Sequence, residues 1–178
     1  MYQQTDFLTE RELRTFINNV DNNAVPWDLN PKEIENGHQY ALSHTYWDSE
    51  TGIEPVVNIN TYWQVQQDFG NKIFPTAIVR AHIQVAIGRE SKEFETGLIT
   101  AKDHSSYLTA YLFLKTTDGY IEFEDETKVE AVENTLIVFE GSKKHRIVAA
   151  SEDNPVMAIL GMDFIPSIRT PEEFFTKE

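Results

Sequence analysis

The chain has no cysteine. A disulfide framework and thiolate metal sites are therefore excluded. Long apolar runs are missing too: none approaches the ~20 residues that a membrane helix needs. Basic residues are few, 15 Lys and Arg against 29 Asp and Glu, for a formal net charge of −14. Such a chain repels a phosphate backbone, and no compensating basic patch is visible, so nucleic acid is excluded as a partner. The acidity serves solubility. Met1-Tyr-Gln-Gln-Thr-Asp6 is polar and carries no signal-peptide pattern, so a cytoplasmic location is the expectation. There is no Gly-rich phosphate loop, no Ser nucleophile elbow and no zinc-protease helix motif.

What is present reads as an ordinary globular chain, 40% apolar and 25% charged. Its 178 residues suffice for one domain with a sizeable core, spanning 1–178. Near the N-terminus, Thr9 and Glu12 form a capping box, and Leu8 and Leu13 stand where a hydrophobic staple would pack. Leu13, Phe16, Ile17 and Val20 then share a helical face, and 21–23 end the helix. A strand is expected over 40–47. A helix is expected over about 58–69, with Gly70 as its stop. Over 78–87, Val79, Ala81, Ile83, Val85 and Ile87 alternate with Arg80, His82 and Gln84. That is a strand whose second face is solvent or the lumen of a barrel. Thr170-Pro-Glu-Glu173 starts a last helix. Trp27, Trp47 and Trp63 are expected in core and support packing.

The densest signal lies between Leu98 and Phe164. Tyr107-Leu-Thr-Ala-Tyr-Leu-Phe-Leu114, Tyr120-Ile-Glu-Phe123 and Leu136-Ile-Val-Phe139 are short apolar strands separated by turn signals, Asp118-Gly119 the strongest. His145 and Arg146 follow the most hydrophobic of them. Lys128-Val-Glu-Ala-Val132 and Val156 to Phe164 complete the set. This is the pattern of a mainly β fold, a jelly roll or double-stranded β-helix with supporting N-terminal helices, and a site in its mouth.

The order of Asp118 to Asp125, Lys128 to Asn134, Leu136 to Ser142 and then His145-Arg146 resembles the Fe(II)/2-oxoglutarate-dependent dioxygenases, in particular small prolyl 4-hydroxylase-like proteins of phage and marine microbes. The resemblance covers roughly Arg80 to Phe164. It implies a facial triad of two histidines and a carboxylate on Fe(II), with positions left open for 2-oxoglutarate and oxygen. The distal histidine maps onto His145. The H-x-D pair falls on Ile99-Thr100-Ala101 or on Ala101-Lys102-Asp103, and in either alignment its first histidine is missing. Asp103 keeps the carboxylate in the second, and the adjacent His104 is a substitute donor. The arginine that binds the far carboxylate of 2-oxoglutarate would stand at Val156-Met157, where neither residue makes an ion pair. Arg146, Arg80 and Lys102 are the cations that could replace it, Arg146 beside the histidine.

The candidate metal ligands are thus His145, Asp103 and His104, and the candidate co-substrate ligand is Arg146. Three readings follow. One is a hydroxylase-type oxygenase with a rearranged site, using Fe(II) and 2-oxoglutarate on a peptide or small-molecule substrate. Another is a barrel kept as a binding or structural module without catalysis, which the missing histidine and arginine favour. The third is a cupin-like barrel with another metal or ligand. His38 and His44 are expected at the surface, and His82 is expected to be satisfied by a neighbour.

Overall fold

The computed structural model describes residues 1–21, 27–29, 40–49, 63–87, 95–96, 107–148 and 156–167. They form eleven strands and two short helical regions: β1 (Tyr2–Gln4), α1 (Glu10–Asp21), β2 (Asp28–Leu29), β3 (Tyr40–Asp48), a π-helical turn (Val65–Gly70) running into α2 (Asn71–Ile73), β4 (Pro75–Ile87), β5 (Glu95–Thr96), β6 (Leu108–Phe113), β7 (Tyr120–Phe123), β8 (Lys128–Glu130), β9 (Thr135–Glu140), β10 (Lys144–Val148) and β11 (Val156–Pro166). The strands make two antiparallel sheets. The larger has the order β1-β9-β6-β11-β4-β3-β2, and the smaller β5-β10-β7-β8. From β5 onward the chain passes repeatedly between the sheets, which is the jelly roll expected from the strand spacing.

Strand alternation gives the large sheet two buried faces. Leu108, Ala110, Leu112 and Leu114 join Ala81, Ile83, Val85, Ala158, Leu160 and Met162 in one cluster, packed against Leu13, Phe16 and Ile17 of α1. The opposite face supplies Ala86, Tyr111, Phe113, Ile137, Phe139, Met157 and Ile159 to a second cluster, which Ile121, Phe123 and Ile147 of the small sheet close. That second cluster fills the lumen. It answers the open question about β4: Arg80, His82 and Gln84 share the lumen face with Ala86.

The capping box forms as expected. Thr9 N–H donates to Glu12 Oε2 at 2.7 Å, and Glu12 N–H to Thr9 Oγ1 at 3.4 Å. Asn134, in the left-handed region at φ 59°, fastens this helix start to the barrel. Its amide accepts from Leu8 N–H and donates to Leu8 O, both at 2.8 Å.

Three expectations change. Gly70 does not stop its helix. It has ordinary helical angles, and the chain continues to Ile73 before Phe74 turns left-handed at φ 48°. Pro75 is the reason, since it cannot donate the next helical hydrogen bond. The Asp118-Gly119 turn does not close a hairpin within one sheet: β6 pairs with β9 and β11, and β7 with β8 and β10. Trp63 is 50% exposed and lies outside the core, whereas Trp27 and Trp47 pack against it. The expected helix at 170–173 and residues 58–62 lie outside the described residues.

Asn134→Ala strands the Leu8 backbone pair and leaves alanine at a left-handed position. The expected loss of stability is about 2–4 kcal/mol. Urea unfolding followed by tryptophan fluorescence measures it, and an unchanged midpoint contradicts the fastening role.

Candidate active site at the His145 end of the barrel

His145 is the second residue of β10, paired with Phe123 of β7 and Glu95 of β5. Alternation sends its side chain inward, where it is 2% exposed. Three aromatic rings surround it: Tyr111, Phe123 and Phe139, with centroids 5.5, 5.9 and 5.1 Å away. Its Nδ1 lies 3.2 Å from Lys143 O, and its Nε2 3.1 Å from Tyr111 Oη. A carbonyl only accepts, so the proton sits on Nδ1 and the Nε2 lone pair accepts from the Tyr111 hydroxyl. A backbone carbonyl holding one nitrogen so that the other is free to donate its lone pair is the usual support of a metal-binding histidine.

Arg146 alternates to the outer face of the small sheet. There its Nε donates to Glu122 Oε2 at 2.7 Å, and its Nη2 lies 2.5 Å from the same oxygen. That contact, with Lys128 nearby, holds the Glu122 carboxyl below its usual pKa. Adjacent positions on one strand thus place His145 and Arg146 on opposite faces, and the two are not brought together. Asp103, His104 and Lys102 lie outside the described residues. His44 stacks edge-on against Tyr46 at 4.9 Å, and His38 is outside the described residues.

Along the lumen wall, Tyr111 links His145 to His82, whose ring centroid lies 6.2 Å from that of Tyr111. His82 is 5% exposed, and burial, with the Arg80 charge in support, holds its pKa well below the ordinary value. Its ring covers Gly161 of β11 so closely that a Cβ there would meet it at 2.4 Å. Contrary to expectation, no neighbour among the described residues satisfies His82 Nδ1. Two residues beyond Gly161, Asp163 is fully buried and accepts from Thr109 Oγ1 at 2.6 Å. Its other oxygen lies 3.3 Å from Arg80 Nε, an ion pair whose angles do not make a hydrogen bond. Burial pushes its pKa above the usual carboxylate value, against the opposing pull of Arg80 and Thr109.

Asp163 was legible in principle, as the lone charge in an apolar run from Val156 to Ile165. Among the described residues, no three His, Asp or Glu side chains come together as a metal site. Of the donors expected from the sequence, His145 lies among them, with Nδ1–H held by Lys143 O and the Nε2 lone pair toward Tyr111. The position expected for the co-substrate arginine does not fit a carboxylate. Met157 is 1% exposed and packs in the apolar cluster with Ala86, Phe113 and Ile147.

No protein-family model matches the chain, and no curated protein matches it. Solved structures do. The α-ketoglutarate-dependent non-heme epimerase SnoN from nogalamycin biosynthesis superposes with a TM-score of 0.62 at 10% identity, over 92% of this chain and 77% of that one. HygX from Streptomyces hygroscopicus, solved with nickel and 2-oxoglutarate bound, gives 0.56 at 9% identity, over 94% and 83%. A prolyl-4-hydroxylase from Pseudomonas putida gives 0.52 at 15% identity, over 93% and 91%. The resemblance to iron and 2-oxoglutarate dioxygenases read from the strand order is thus matched by a shared fold. No helix among the described residues is long and apolar enough to cross a membrane.

The buried neutral state of His82 gives a pH dependence. The unfolded chain takes up a proton below the ordinary value of 6.5, and the folded chain resists it. This contribution to stability is therefore full above that value and lost as pH falls below it, by up to about 1.4 kcal/mol per pH unit. Between about pH 7.5 and about pH 5.5 the parent protein should lose more unfolding free energy than His82→Gln. Equal losses in urea titrations of the two proteins contradict this account.

Proposed function

We propose that the chain is an oxygenase-like jelly-roll protein that binds Fe(II) through His145, acting on a small molecule or peptide. One observation carries the reading: His145 is a buried imidazole whose Nδ1–H is held by Lys143 O, which directs the Nε2 lone pair into the lumen. Asp103, the carboxylate that the resemblance keeps in one alignment, and its neighbour His104, a substitute for the missing histidine, are the further donors of this reading. Bound Fe(II) supplies dioxygen chemistry. The chain itself orients the imidazole, and Tyr111, Phe123 and Phe139 keep bulk water from it. The Tyr111 hydroxyl is hydrogen-bonded to Nε2, the nitrogen that would hold the metal, and would have to give up that bond. The reading takes 1–178 as one domain and its location as cytoplasmic.

A second reading has its own support. A buried Met157 where an arginine would hold 2-oxoglutarate favours a barrel that kept its fold as a binding module. Arg80 reaches the same lumen wall but is engaged with Asp163, and Arg146 is engaged with Glu122.

Calorimetric titration of metal-free protein with Mn(II), with and without 2-oxoglutarate, separates the two. The oxygenase reading expects saturable binding that strengthens with 2-oxoglutarate. It also expects binding to weaken at least about 10–100-fold in His145→Ala. Absence of metal binding, or binding indifferent to His145, leaves the binding-module reading standing.

A further inference from the structure

Tyr111 is a buried phenol at the candidate site, and the reading above gives it no positive role. It stands on β6, and its ring lies on the lumen face between His145 and His82. Its hydroxyl oxygen is 3.1 Å from His145 Nε2. Two donor atoms that share a metal ion through bonds of about 2.1 Å lie about 3.0 Å apart at a right angle and about 3.4 Å apart at the tetrahedral angle. The Tyr111–His145 separation falls in that interval. The histidine that the resemblance expects just before β6 is missing from the sequence. An oxygen donor already at this spacing answers that gap in the donor set.

We infer that Tyr111 is a metal ligand, its phenolate oxygen bound beside His145 Nε2 in the place of the missing histidine. The inference rests on the oxygenase-like reading for the presence of a metal. In the exchange the hydroxyl gives its proton to water. Its oxygen and the Nε2 lone pair then turn from one another to the ion. A bound cation favours that loss of the proton, as it does for a coordinating thiol. The shift is small, because an ion about 2.1 Å from both atoms lies about 1.4 Å off the line between them. The imidazole keeps its support, since Nδ1–H stays on Lys143 O. The pair is also close to solvent. The Phe123 ring, 5.9 Å from that of the imidazole, lies under Lys143 Nζ at 4.6 Å, and this ammonium pairs with the exposed Asp125 at 2.7 Å. The donor type bears on the oxidation state as well. A phenolate is anionic and hard where a histidine is neutral, so it stabilises Fe(III) over Fe(II).

A hydroxyl that only plugs the site is the competing account, and the two differ in sign. The test uses the full chain. Tyr111→Phe removes the oxygen and keeps the ring. Calorimetric titration with Mn(II) should show binding weakened at least about 10-fold in this variant, since even outer-shell partners of a metal site carry that much. A plug predicts the reverse: binding that strengthens or stays unchanged, and either result overturns the inference. Iron gives a second readout. The parent protein is loaded with Fe(II) without oxygen, then oxidised with ferricyanide, one electron per iron. It should develop the visible charge-transfer band of an Fe(III)–phenolate, and Tyr111→Phe should not. Should the variant fail to fold, resonance Raman scattering from the parent decides: tyrosinate modes support the ligand, and their absence overturns it. A parent that holds iron through His145 without the band loses the Tyr111 inference and keeps the oxygenase-like reading. A parent that binds neither Mn(II) nor iron loses both.

Discussion

Two-residue alternation along β6, β11 and β4 is the constraint on which the rest of the structure depends. The large sheet is buried on both sides, so each of these strands supplies two cores at once. On β11, Ala158, Leu160 and Met162 face α1, while Met157, Ile159, Gly161 and Asp163 face the lumen. A one-residue slip would exchange the two sets and bury Asp163 and His82 among leucines. Register is therefore strongly specified. The same register brings Thr109 opposite Asp163, Asp163 opposite Arg80, and Gly161 opposite both His82 and Tyr111.

Those pairings explain residue choices that have no meaning one strand at a time. Gly161 is small because the His82 ring occupies the place of its side chain. His82 is neutral because it is sealed beneath that contact and lies near a cation. Bulges lie next to these residues: β4 and β11 shift register between Asp163 and Phe164, and β3 and β4 between Thr45 and Trp47. Bulges re-aim side chains at the ends of barrels, and here they border the row that holds Arg80 and Asp163.

Much of this was legible in the sequence. The spacing of apolar runs gave the jelly roll, and the alternation over 78–87 separated Arg80, His82 and Gln84 from the core face before any coordinates. The position of His145 after an apolar strand set it near the mouth of the barrel, without saying which way its ring turns. What was not legible depends on pairing between distant strands. Nothing local distinguishes Arg146 from His145 as a lumen residue until Glu122 is known to stand opposite it, 24 positions earlier. The contact of Thr109 with Asp163 spans 54 positions. Hairpin logic also misled at Asp118-Gly119, because a good turn signal says that the chain reverses and not which sheet it joins.

The lumen is graded along its length, and the gradient bears on what it can hold. At one end Phe113, Ile137, Met157 and Ile159 pack with no charged group of the described residues in their cluster. At the other, Tyr111, His145, His82, Thr109, Asp163 and Arg80 concentrate the polar atoms. A dianion pushed toward the first end would lose its hydration and meet no cation of the described residues there. The polar end holds one imidazole whose Nε2 accepts from Tyr111 and a buried carboxylate held by Thr109 and the Arg80 charge. Polar groups left unpaired inside a well-packed barrel lower its stability. Packing two faces of one sheet at once leaves such groups at several places, Thr135 Oγ1 of β9 and Gln66 Oε1 among them, and the apolar burial on both faces has to offset that cost.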